Sequence, residues 1–205
     1  MATTLEGTTN STPRSCVPAS SDVRSCLSFK ALWAAHPLNW NPEENKPFRK
    51  PNGLPKENPE GLYENQCAIK MSISLIDGGL SLDTYPKARS EVREAFQNKK
   101  KYRGALAAEE LAAWLSKALG KPEEINPSEA YQKVKGKTGI IFFKDFWARS
   151  SREEQTGNFS GDHIDLWNGS TMPGSNWRSF GESIHSDPRN SYFLRSKLIN
   201  FWEIK

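Results

Sequence analysis

Apolar residues recur with a helical period in the first two thirds of the chain and with a strand period near its end. SFKALWAAH sets Phe29, Leu32, Trp33 and His36 at helical spacing, and Pro37, which cannot continue the hydrogen-bond ladder, stops that helix. His36 at its end reads as a capping or packing residue, since a histidine there also suits the helix dipole. In ENQCAIKMSISL, residues Ala68, Met71, Ser72 and Leu75 fall at i, i+3, i+4 and i+7, one face of a helix. Asn65 suits its N-cap, Cys67 falls in its first turn, and Asp77-Gly78-Gly79 ends it. Val92 and Phe96 share one face of a helix expected over residues 85–101. Leu111, Ala112, Leu115 and Leu119 form the clearest apolar stripe, predicting a helix over 105–119 closed by Gly120 and Pro122. Asn126 then opens a short helix with Pro127 in its first position.

Beyond this point the period shortens. GIIFFKDFW, residues 139–147, is a continuous apolar and aromatic run, as expected of a buried central strand. GDHIDLWNG, residues 161–169, alternates, with His163, Asp165 and Trp167 on one face and Ile164 and Leu166 on the other. Residues 149–160 read as a polar loop, and 191–204 as one or two strands. Helices first and antiparallel strands after predict an α+β fold.

Composition sets the limits. The 205 residues suffice for one domain with a proper core, at 27–205, preceded by a Ser-, Thr- and Pro-rich tail at 1–26. Residues 39–64 hold five of the thirteen prolines and read as a long irregular connection leading straight to Cys67, suited to one wall of a cleft. No run reaches the roughly 20 apolar residues that span a bilayer, so membrane insertion is not expected. The N-terminus lacks a basic segment followed by an apolar one, so no Sec-type export signal is read there. The formal charge of +4 comes without a nucleic-acid-reading motif. The run Lys99-Lys100-Lys101 with Arg103 reads as a solvated helix end, and no nucleic-acid partner is expected.

The candidate chemistry centres on Cys67. Unpaired N–H groups and the dipole at a helix start favour a thiolate, the form a nucleophile needs. A small buried residue at a helix start is the plainer alternative. His163, far downstream on a strand between glycines, completes the arrangement seen when a cysteine nucleophile and its base are distant in sequence and adjacent in space. Cys16 and Cys26 can pair in an oxidising compartment, leaving Cys67 as the odd free thiol. Cys and His spacing matches no zinc site, and neither metal nor other cofactor is expected.

ENQCAI, GKTGIIFFKDFW and HIDLWNG, with AEELAAWL between the first two, closely resemble the type VI secretion amidase effector family 4. The resemblance covers about 28–205. It implies a papain-like (NlpC-like) cysteine peptidase fold, N-terminal helices packed on an antiparallel sheet. Cys67 matches the family nucleophile and His163 the general base, with the Cys67 backbone N–H, and Gln66 beside it, available to an oxyanion. The family's third member, an Asp, lies a little over ten residues past the His, where this chain has no Asp; Asn176 is the nearest counterpart and Asp165 the competing choice. Side chains at i and i+2 of a strand stand roughly 7 Å apart, which is poor for a direct His163–Asp165 hydrogen bond. The resemblance further implies hydrolysis of the γ-D-glutamyl–meso-diaminopimelate bond of peptidoglycan stem peptides, in the periplasm of a recipient bacterium. Passage through the type VI apparatus and a cognate immunity protein that plugs the cleft belong to the same expectation. A papain-like protease or acyltransferase acting on proteins, and an inactive wall-binding module, are the alternatives.

Overall fold

The computed structural model describes residues 23–40, 65–86, 89–92, 102–174 and 192–205. Its centre is helix α3, Cys67–Asp77, which follows α1 (Val23–Cys26) and α2 (Phe29–Ala35). The expected apolar face of α3 is present, but every residue from Ala68 to Leu75 is buried. A helix enclosed on all sides needs its polar groups satisfied internally. Ser74 Oγ donates to the Leu32 carbonyl of α2 at 2.8 Å. Ser72 Oγ donates to Ala68 O at 2.7 Å and accepts the N–H of Ala105 at 2.8 Å.

Ala105 ends β2 (Tyr102–Ala105), which pairs antiparallel with β1 (Arg89–Val92). The helix expected over 85–101 is therefore corrected at 89–92, where backbone groups join a ladder instead. Two apolar residues at i and i+4 make a weak periodic signal, and strand pairing overrode it. The remainder of the basic run, Lys99 to Lys101, lies outside the described residues.

Helix α4 (Ala108–Ala118) carries the predicted stripe inward, with Leu111 and Leu115 fully buried. Strand β3 (Glu123–Ile125) and helix α5 (Pro127–Val134) follow; the Asn126 side chain caps α5 by accepting Ser128 N–H at 3.0 Å. The main sheet is completed by β4 (Gly139–Trp147), β5 (Gly161–Trp167) and β6 (Leu198–Glu203) in the antiparallel order β3-β6-β4-β5. One face, through Ile140, Phe142, Ile164, Leu166 and Trp202, joins the core that contains α3 and α4. The other, through Ile141, Phe143, Trp167, Ile199 and Phe201, packs on α5 and on α7 (Tyr192–Arg195).

Two local expectations change. Residues 149–160 contain helix α6, Ser151–Thr156, capped by Ser150, whose Oγ accepts Glu153 N–H at 3.3 Å, while the Glu153 carboxylate reaches back to accept Arg149 N–H. Within 191–204, Tyr192–Arg195 is helical, because Phe193 must reach the aromatic core under β4. At the N-terminal side, Val23–Cys26, grouped with the tail by composition, forms one helical turn that buries Val23. The Arg24 guanidinium in that turn donates to the carbonyls of Leu119, Gly120 and Lys121 beyond α4.

Candidate active site

Cys67 is the first residue of α3, and the helix is preceded by Gln66, not by Asn65 as expected. Gln66 has φ −109° and ψ 4°, and its side chain makes no capping bond to the first turn of α3. Gln66 is buried, with Oε1 lacking a hydrogen-bond partner among the described residues.

Strand β5, at the end of the described sheet, lies beside α3 and brings His163 to the thiol. Burial pushes Cys67 up, but the hydrogen bond and charge of His163, with a backbone bond at Ile164, outweigh it and leave the thiol lowered. The opposite holds for His163: burial pushes it down, but hydrogen bonds to Asp165 and Cys67 hold it well above the ordinary imidazole value. Together these shifts favour a thiolate beside an imidazolium.

Asp165 stands behind the histidine, its Oδ2 3.3 Å from His163 Nε2. The expectation that i and i+2 are too far apart is corrected. The spacing is set at the backbone, whereas an imidazole and a carboxylate extend far enough from one strand face to meet. With Nε2 turned to Asp165, Nδ1 is the nitrogen left for Cys67. Burial raises the Asp165 carboxyl, while His36, His163 and the Leu166 N–H, which donates at 2.8 Å, bring it below the usual value. Asn176, the other candidate for the third position, lies outside the described residues.

His36 was missed as a site residue. It ends α2 and begins a 3-10 turn over Pro37–Asn39, and its Nε2 is 3.3 Å from Asp165 Oδ1. The helix end and Pro37 were readable, but nothing local relates position 36 to position 165. An aromatic wall was missed as well: Phe143, Phe146 and Tyr192 lie 6.4, 6.1 and 5.5 Å from the His163 ring. Phe146 stacks on Tyr192 at 4.6 Å. A register shift in β4 between Phe143 and Trp147, with Asp145 at φ 51°, accompanies that arrangement. Asp145 N–H donates to Asp162 Oδ1 at 3.0 Å, which ties the bulge to the residue before His163. Gly161 is required by packing: a Cβ there would lie 2.3 Å from the Trp147 ring. No cluster of His, Cys, Asp or Glu among the described residues could hold a metal ion.

An α+β fold that gathers a helix-start cysteine, a strand histidine and a buried carboxylate defines the general class. The chain belongs to the type VI secretion system amidase effector protein 4 family (Tae4), whose sequence profile matches residues 63–202. Among solved structures, it is similar to Tae4 from Salmonella typhimurium in complex with the immunity protein Tai4 from Enterobacter cloacae. That match has a TM-score of 0.54 and 23% identity over 87% of this chain and 99% of the other. A selenomethionine variant of the Salmonella typhimurium Tae4/Tai4 system gives 0.52 and 21% over 87% and 99%. Tae4 from Enterobacter cloacae gives 0.50 and 22% over 87% and 97%. No curated protein matched the sequence significantly.

Proposed function

We propose that this amidase effector is a cysteine hydrolase of papain-like (NlpC-like) type. Its bond would be γ-D-glutamyl–meso-diaminopimelate in peptidoglycan stem peptides. The observation that carries the cysteine mechanism is the Cys67–His163 hydrogen bond at the start of α3, with the thiol lowered and the imidazole raised. The Cys67 thiolate attacks the amide carbon, and the Cys67 N–H, with Gln66 beside it, faces the oxyanion that develops. His163 gives its proton to the leaving amine; water, deprotonated by the same imidazole, then attacks the thioester carbon, the C–S bond breaks, and the acid leaves with the thiolate–imidazolium pair restored. Asp165 holds the ring and its positive charge. The family supports the substrate class and delivery by the type VI apparatus into a recipient bacterium, where the wall is reached from the periplasm. The immunity complexes of the Salmonella and Enterobacter relatives support a dedicated immunity protein for this chain.

The test is digestion of diaminopimelate-type peptidoglycan with products read by mass spectrometry. Wild type is expected to release disaccharide-dipeptide, and Cys67→Ala to release none. Asp165→Asn is expected to lower kcat by about a hundredfold or more, since removing an orienting carboxylate costs up to about 10⁴ in a comparable triad. Asn176→Ala is expected to retain most of the rate. A product containing an intact tetrapeptide would sink the assigned bond, and a full rate in Cys67→Ala would sink the mechanism.

A further inference from the structure

His36 is buried to 1% exposure at the junction of α2 and the 3-10 turn. Its ring is held from two directions. Leu38 N–H donates to Nδ1 at 3.3 Å, so Nδ1 is an acceptor and the ring proton belongs on Nε2. Nε2 faces Asp165 Oδ1 at 3.3 Å, while the other carboxylate oxygen, Oδ2, faces His163 at the same distance. The turn is anchored in turn: Asn39 Nδ2 donates to Trp33 O at 2.9 Å, Trp40 Nε1 to Ala35 O at 3.1 Å, and Leu38 packs on Ile69 and Ile73 of α3.

We infer that His36 is a positioning residue for the reaction, a neutral imidazole whose Nε2–H fixes the Asp165 carboxylate so that its second oxygen meets His163. The inference rests on the proposed Cys–His mechanism and extends it by one residue. A carboxylate on a short side chain can rotate, and only one rotamer serves the catalytic ring. A donor on Oδ1, joined there by the Leu166 N–H, selects that rotamer. Neutrality matters as well. A cationic His36 would compete with His163 for the same carboxylate, inside a region where screening is weak. Burial lowers His36 to about 4; Asp165 pulls the other way, and the charges of Lys70 on α3 and His163 on β5 add to the lowering. His36 therefore stays uncharged while His163 carries the proton.

The experiment compares wild type with His36→Leu, which fills the space without a donor, and His36→Gln, whose amide can place an N–H where Nε2 stands. Two readouts are taken on the full chain: the pH dependence of Cys67 alkylation by iodoacetamide, which needs no substrate, and the kcat and KM of muropeptide cleavage. His36→Leu is expected to move the alkylation midpoint upward and lower kcat about tenfold or more with KM little changed, because a small misplacement near the chemistry costs up to about 10²-fold. His36→Gln is expected to recover most of both. A folded His36→Leu with the wild-type midpoint overturns the inference, as does a defect that Gln does not relieve. Should His36→Leu not fold, histidine nitrogen NMR on wild type decides. A neutral Nε2–H tautomer of His36 at pH 7 supports the inference, and a cation or an Nδ1–H tautomer overturns it. If wild type cleaves no muropeptide yet the midpoint still moves in His36→Leu, the substrate reading fails and the positioning role stands.

Discussion

At Cys67 two opposing influences meet: burial disfavours the thiolate and His163 favours it, with the histidine prevailing. In wild type, alkylation of Cys67 should reach half its plateau rate below pH 9. In His163→Ala burial is opposed only by the backbone bond at Ile164, so the midpoint should move upward from the wild-type value; a midpoint that stays put would separate the two groups functionally. The cysteine and histidine that the structure brings together were legible because each sits in a local pattern, a helix start and a glycine-flanked strand. That Asp165 reaches His163 was not legible in that way. It turns on how far two side chains reach from one strand, which residue spacing does not state.

Elements carry the second group of consequences. Ser72 satisfies a backbone N–H of β2 from inside α3, so Ser72→Ala leaves the Ala105 N–H buried and unpaired. Such a loss costs about 1–3 kcal/mol, to be read as a lowered midpoint in chemical denaturation with an unchanged m-value. By contrast, Ser150→Ala, at the cap of the exposed helix α6, should cost only about 1 kcal/mol. Most elements were predictable from period and punctuation: β4 and β5 from their apolar and alternating runs, α5 from Asn126 and Pro127, α4 from its stripe. Arg89–Val92 and Tyr192–Arg195 were not, since neither has a periodic signal strong enough to oppose its neighbours. The first follows its pairing with β2, and the second follows the aromatic core beneath β4.

For the molecule as a whole, acid sensitivity follows from His36. Its folded value of about 4 lies below the ordinary 6.5, so the folded state refuses a proton that the unfolded chain accepts. Stability from this group is complete above pH 6.5 and is lost as pH falls from there to about 4. At about 1.4 kcal/mol per unit the loss is on the order of 3 kcal/mol. Thermal melts should therefore show wild type losing more stability than His36→Gln across that window. Parallel curves would mean that His36 is protonated in the folded state as readily as in the unfolded one.

The sequence by itself determined the α+β class, the place of Cys67 in the first turn of α3, and the strand that carries His163, because each depends on neighbours within a few residues. Only the tertiary structure decided that α2 returns His36 to Asp165, that α3 is enclosed on every side, and that Phe146 and Tyr192 line the histidine. Those contacts join positions far apart in the chain, and they exist only once helices and sheet close over a common core.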